Sequence, residues 1–398
     1  MNKTPNSNRK HIGIFGKTNS GKSSLLNAIT GQNLAIVSDI RGTTTDSVVK
    51  SMELLPYGPV LFIDTAGLDD EGILGEMRVG KALSEIKRCD LVLLLISAED
   101  LDFKFYQDQI KIFKRYNLSH MLIISKDELL NNEKREEIKN LYPHAHFVSA
   151  HSWESVINLK GELIKSLEKE EEDPSLLGDI LPYGSSVVMV VPIDSEAPKG
   201  RLILPQVQLL RDCLDNGIKS YVVRDTELKT ALEDLKNIDL VVTDSQAFRE
   251  VDALIGGRFP LTGFSILFAR QKGNLQSLVE GAKTVDSLPE GANILIAETC
   301  THNTSHEDIG RVKIPNLLRK KTGKNFNFHF KMGNSFPENI HEYDLIIHCG
   351  ACMINRKNMQ NRIDEAGEKY IPITNYGLLI AHLNGILDRS IQIFKNNI

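Results

Sequence analysis

The chain has 398 residues, enough for two or three domains. A hydrophobic content of 41% and a charged content of 25% are ordinary for a globular protein and exclude a disordered or fibrous one. The formal net charge of -5 argues against broad electrostatic attraction to nucleic acid or anionic lipid, so neither is expected as a partner.

The N-terminal stretch MNKTPNSNRK is polar, without the apolar core of a signal peptide. The longest apolar run, LVLLLI (91–96), is far short of a membrane span, so a cytoplasmic location is expected. Apolar β-type runs then alternate with helical patterns, the signature of α/β units. HIGIFG (11–16), VLFID (60–64), DLVLLLI (90–96), HMLIIS (120–125) and HFVSA (146–150) predict the strands of a first domain over residues 1–172. The acidic stretch SLEKEEEDPSLLGD (166–179) closes it as a linker. SVVMVVPI (186–193), SYVVR (220–224) and IDLVVT (238–243) predict a smaller α/β domain over 173–258. ANILIAE (292–298) and YDLIIH (343–348) predict a third over 259–398. No internal repeat of the solenoid kind is visible. Cys89 and Cys213 read as small core residues.

GKTNSGKS (16–23) is a phosphate-loop pattern, following one predicted strand and opening a helix, KSSLLNAIT. Its glycines let main-chain N–H groups close around phosphate oxygens at a helix N-terminus, with Gly16, Asn19, Ser20, Gly21, Lys22, Ser23 and Ser24 as the contacting residues. Lys22 is expected to reach the β and γ phosphates and Ser23 to ligate magnesium. The strand VLFID delivers DTAG (64–67), in which Asp64 is expected to hold magnesium through water and the Gly67 N–H to sense the γ phosphate. GTTTD (42–46), with Thr44, stands where a switch loop belongs. Base recognition is degenerate. The usual Asn-Lys-x-Asp is replaced by SKDE (125–128), leaving Lys126 and Glu128 to read guanine, with Ser149 and Ala150 of SAH in the loop that meets its oxygen.

A second constellation lies near the C-terminus. Cys300 and Cys349 each follow an apolar strand, where open α/β sheets place ligands, and HCGAC (348–352) adds Cys352 after a two-residue spacer. With His302 or His348 these thiolates suit a closed zinc site; equally, three thiolates suit an iron–sulfur cluster with one iron exchangeable. Residue chemistry leaves both open.

GKTNSGKSSLLN, RGTTTD, DTAGLDD and SAH make residues 10–168 resemble the Era-like GTPases, the tRNA-modification GTPase MnmE above all. That resemblance implies a GTP/GDP-binding, GTP-hydrolysing domain stimulated by potassium, with Asn19 on the cation and Glu76 positioning water, since Leu68 stands where Ras-type proteins have Gln. The added CxH…HCxxC pattern and GFSILFAR (263–270) make nearly the whole chain resemble the FeFe-hydrogenase maturation GTPases of the HydF type. This implies a P-loop GTPase domain followed by a dimerisation domain and an iron–sulfur domain, both α/β. It also implies a 4Fe–4S cluster on Cys300, Cys349 and Cys352, with His302, His348 or Glu307 as fourth ligand. The implied role is a homodimeric scaffold that receives a diiron precursor from the radical enzymes HydE and HydG and passes it to apo-hydrogenase. The competing expectation is a ribosome- or RNA-associated GTPase with structural zinc.

Overall fold

The computed structural model describes residues 4–31, 48–65, 82, 84–169, 173–193, 200, 202–299, 309–333, 336–337 and 339–394. It divides into two compact units, Met1–Glu172 and Asp173–Ile398.

The first unit is built on a six-stranded sheet ordered β2-β3-β1-β4-β5-β6. Its strands are β1 (Lys10–Gly16), β2 (Val48–Leu54), β3 (Gly58–Asp64), β4 (Leu91–Ser97), β5 (Ser119–Ser125) and β6 (His146–Val148). All neighbours are parallel except β2, which pairs antiparallel with β3 at the edge. Parallel strands covered on both faces need apolar side chains at every position, and β4 is buried throughout. β2 buries only Leu54 fully, so its sequence alternates weakly and was not among the predicted strands. Helices Phe103–Arg115, Asn132–Leu141 and Trp153–Glu168 start on Asp102, Asn131 and Ser152, whose side chains accept from main-chain N–H groups of the first turn.

The second unit holds two four-stranded parallel sheets. One is ordered β10-β9-β7-β8, from β7 (Ser186–Val190), β8 (Lys219–Val223), β9 (Leu240–Thr243) and β10 (Leu261–Gly263). The other is ordered β12-β11-β13-β14, from β11 (Asn293–Glu298), β12 (Asn327–Met332), β13 (Leu345–His348) and β14 (Ile373–Asn375). β10 pairs with β9, so residues 261–263, expected in the third block, complete the second sheet.

Numbered within each sheet, the strand order is the same: second, first, third, fourth. The registers coincide too. Val187 faces Leu240 as Ile294 faces Leu345, and Gly263 faces Thr243 as Asn375 faces His348. Asp239 accepts from the Ser186 N–H at 2.8 Å, and Asp344 from the Asn293 N–H at 2.8 Å. LTGFSILFA (261–269) and ITNYGLLIA (373–381) occupy matching strand-to-helix turns. The second unit is thus a tandem of one module, and a single apolar core runs through both copies.

Candidate functional sites

In the first unit β1 ends at Gly16, and helix Lys22–Thr30 begins six residues later. The loop between them needs left-handed backbone at Asn19 (φ 61°) and Gly21 (φ 87°). Lys22, only 8% exposed, straps the loop: its ammonium donates to the Gly16 carbonyl at 3.0 Å and the Lys17 carbonyl at 2.7 Å. Asp64, at the end of β3, accepts from the Ser23 hydroxyl at 2.7 Å. Burial pushes the Asp64 carboxyl up, opposed by that hydrogen bond and by the charges of Lys22 and Lys50. Its Oδ1 is buried and, like the Ser20 hydroxyl, has no hydrogen-bond partner among the described residues. A carboxylate oxygen without a donor beside a serine hydroxyl at a phosphate loop fits a hydrated divalent cation. Gly16, Asn19, Ser20, Gly21, Lys22, Ser23, Ser24 and Asp64 therefore come together at the carboxyl ends of β1 and β3.

The segment expected to read the base follows β5. Lys126 takes left-handed backbone (φ 57°) and pairs with Glu99. Glu128 is exposed, and a hydrogen bond with the Ser149 side chain holds its carboxyl below the usual range. Ala150 follows Ser149 at the end of β6. Sequence reasoning missed what Ser125 does. Its hydroxyl donates to the Ser20 carbonyl at 2.7 Å, latching the base-reading segment to the phosphate loop. Thr44, Gly67, Leu68 and Glu76 lie outside the described residues.

In the second unit Cys349 and Cys352 fall at a switch point of strand order. β11 and β13 are neighbours, with β12 and β14 outward on opposite sides, so a crevice opens beyond their carboxyl ends. Cys349 follows β13 and is 7% exposed. Thr299, which follows β11 and precedes Cys300 in sequence, brings its N–H within 3.3 Å and its hydroxyl within 3.2 Å of the Cys349 sulfur. Burial, then the neighbouring Cys349, push the Cys352 thiol up to about 11, opposed by Lys272. Ala351 between them has left-handed backbone (φ 55°). Cys300, His302 and Glu307 lie outside the described residues, and among the described residues no group of three potential ligands gathers.

His348 is fully buried with both ring nitrogens engaged. Nε2 lies 2.8 Å from Arg362 Nη1, and Nδ1 lies 2.8 Å from the Cys349 carbonyl. Arginine only donates, so Nε2 accepts and the ring proton sits on Nδ1. Ligation through Nε2 requires release of Arg362. Two buried cations, missed in the sequence, thus border the cysteines. Arg362 is 3% exposed and pushed down to about 10 by burial; Lys272 is 4% exposed and pushed down to about 8 by burial. Lys272 donates to the carbonyls of Ala351 and Ile354, at 3.0 and 2.8 Å. Cys89 and Cys213 are fully buried in apolar cores, as their patterns predict.

Fold and sites define a P-loop GTPase domain joined to a tandem of parallel α/β modules. Comparison with known families bears on both parts. Residues 11–126 match the 50S ribosome-binding GTPase family, residues 176–273 the hydrogen maturase F dimerization domain and residues 276–393 its tetramerization domain. The last two matches together span more than half of the chain, which belongs to the hydrogen maturase F family of hydrogenase maturation GTPases. Both descriptions name self-association.

The GTPase part is 38% identical over 130 residues to the tRNA modification GTPase MnmE of Pelagibacter ubique, covering 32% of this chain and 28% of that protein. It is 32% identical over 187 residues to GTPase Der of Mycoplasmopsis agalactiae, covering 43% of each. The chain thus spans well under half of these curated relatives. Among solved structures, Aquifex aeolicus Era aligns at 20% identity and a TM-score of 0.34, covering 62% of this chain and 98% of that one. Among the described residues no helix is long and apolar enough to cross a membrane.

Proposed function

We propose that this chain is a GTP-hydrolysing scaffold. It carries a 4Fe–4S cluster on Cys300, Cys349 and Cys352, receives the diiron precursor of the FeFe-hydrogenase active site from HydE and HydG, and passes it to apo-hydrogenase. GTP hydrolysis with magnesium is the activity that the N-terminal domain supports. What supports the metal reading is the switch point, where Cys349 and Thr299 meet at the ends of adjacent strands, with Cys352 on the turn that follows. The donor set fits the cluster: two part-buried thiols, hydrogen-bond donors at one sulfur, and buried cations to balance an anionic group. A bound cluster supplies an exchangeable iron, and His302 or Glu307 is the proposed cap for it. His348 serves as ligand only at the expense of its Arg362 contact.

The residues of the first unit bind and orient. Lys22 and the loop N–H groups hold the phosphates, Ser23 and Asp64 hold magnesium, and Glu76 positions water. Gly67 and Thr44 complete the switch region. Asn19, exposed on left-handed backbone, presents its amide oxygen to potassium, whose charge takes the place of an arginine finger. Turnover should be faster in potassium than in sodium, and Asn19→Ala should erase the difference; equal rates in the two salts would remove Asn19 from this role. The domains proposed are 1–172, 173–273 and 274–398, the second boundary moved from the expected 258 because β10 completes the second sheet, with the homodimer formed through the second domain, where Val207, Leu214 and Val222 are exposed. The hydrogen maturase matches over residues 176–393 favour the scaffold reading over the RNA-associated zinc one.

Base selectivity follows from Glu128. Its side chain is one methylene longer than the usual Asp and leans on Ser149. Glu128→Asp should raise the GTP/ATP affinity ratio by up to about tenfold, the value of one better-placed charge-assisted hydrogen bond. Competition binding measures it, and an unchanged ratio means that Glu128 does not read the base.

A further inference from the structure

The tandem modules provide an internal control on what this fold requires. Helix Phe248–Ile255, after β9, buries Phe248, Val251 and Ile255. The helix after β13, Arg356–Glu368, instead buries Asn358, Asn361 and Arg362 beside Met359, Ile363 and Ala366. At the ends of the preceding strands Thr243 and His348 occupy the same register position, and both are fully buried. The module therefore folds with a threonine and an apolar helix where the cysteine-bearing copy has His348 and Arg362. Burying a cation is costly unless something nearby repays it, so the fold alone gives no reason for the replacement.

Arg362 is fixed on several sides. Nε donates to the Asn358 amide oxygen at 3.2 Å, one terminal nitrogen to His348, and the other to the Gly333 carbonyl at 3.4 Å. His348 passes the link to the Cys349 carbonyl. Lys272, at the end of helix Phe264–Lys272, approaches from the other module. Its two hydrogen bonds end on carbonyls of the turn that carries Cys352, and the charged groups that act on it are Cys352, Asp173 and Cys349. Two cations reach one turn through separate hydrogen-bond paths.

We propose that Arg362 and Lys272 are positioning residues for the anionic group that Cys349 and Cys352 hold, fixing the CxxC turn and stabilising the more negative redox state of that group. The proposal rests on the cluster reading above. Adding one electron to a thiolate-ligated cluster increases its negative charge by one unit, and fixed cations in a dry site favour that state. Neither residue is offered as an iron ligand.

The test uses the full chain, reconstituted anaerobically with iron and sulfide, titrated with dithionite and followed by EPR. Lys272→Met and Arg362→Met should each shift the reduced-to-oxidised ratio at fixed potential at least tenfold toward oxidised, or 59 mV for one electron. Lys272→Arg and Arg362→Lys, which keep the charge, should recover most of the shift. GTP turnover should not change in any of the four. Iron-replete methionine variants with the wild-type potential overturn the proposal, and so do conservative variants as shifted as the methionine ones. Should Arg362→Met fail to fold, Lys272→Met carries the same comparison. A wild-type protein that takes up no cluster sinks the parent reading instead, which keeps the two failures apart.

Discussion

Replacing Lys22 with alanine is expected to lower GTP turnover by on the order of 10²–10³-fold or more, the loss seen when one preorganised charge is removed from a developing oxyanion. Lys22 is 8% exposed and ties the start of its helix to the carbonyls of Gly16 and Lys17 across the loop. The side chain thus has two tasks: it holds the phosphate cradle in shape, and its ammonium meets the β and γ phosphates. Alanine removes both. Lys22→Arg separates them, because it keeps the charge while a longer, planar head no longer fits a strap of this length. Arginine should retain part of the nucleotide affinity and little of the turnover. Cys349 and Cys352 lie in the other compact unit, so iron content should be unchanged in both variants. Near-normal turnover in Lys22→Ala would remove this loop from the chemistry.

What the sequence revealed of this molecule follows a physical divide. LVLLLI reads as a strand because a parallel strand with both faces covered carries apolar side chains at every position. β2 and β12 lie at sheet edges with much of their surface exposed, so their residues carry no such run. The phosphate loop is local, within the eight residues 16–23, and its neighbour Asp64 was legible separately, at the end of its own strand. The segment proposed to read guanine departs from the usual Asn-Lys-x-Asp pattern, as SKDE. The latch from Ser125 to Ser20 spans 105 positions and has no local signature.

That Cys349 ends a strand was legible; that β11 and β13 are neighbours was not, since strand order depends on pairings between residues about fifty positions apart. The duplication escaped notice for a related reason. LTGFSILFA and ITNYGLLIA share Thr, Leu and Ala at matching positions; Gly263 stands against Asn375 and Ser265 against Gly377, and the remaining positions exchange one apolar or aromatic residue for another, so register exposes what identity hides. Arg362 did leave a trace. It lies three residues after Met359 and four before Ala366, on the apolar face of a helix that otherwise reads as solvated. A lone arginine on such a face marks a buried charge that needs a partner.

Replacing Cys349 or Cys352 with alanine, or Cys300 likewise, should remove most of the iron from anaerobically purified protein and abolish hydrogenase activation. Cys89→Ala and Cys213→Ala should do neither. The contrast follows from where the thiols lie. Burial raises the Cys89 thiol far above its ordinary value and the Cys213 thiol to about 11. Each sits in an apolar core, so alanine there costs a small cavity and some stability, without touching metal. Cys349 instead receives an N–H and a hydroxyl contact from Thr299, and Cys352 lies on a turn held by Lys272. On the proposed function each of the two holds metal rather than packing a core. With three thiolates and a weaker fourth group, losing one thiolate leaves too few ligands to hold a cluster, whereas replacing the fourth changes its spectrum without emptying the site. His302→Ala or Glu307→Ala should behave in that second way, whichever is the cap. His348→Ala should differ from both, because it also frees Arg362 and disturbs the Cys349 carbonyl. Iron and sulfide analysis with EPR of each reduced variant distinguishes these outcomes. Stoichiometric zinc without iron–sulfur absorbance after anaerobic reconstitution would return the cysteines to a structural role and end the carrier reading.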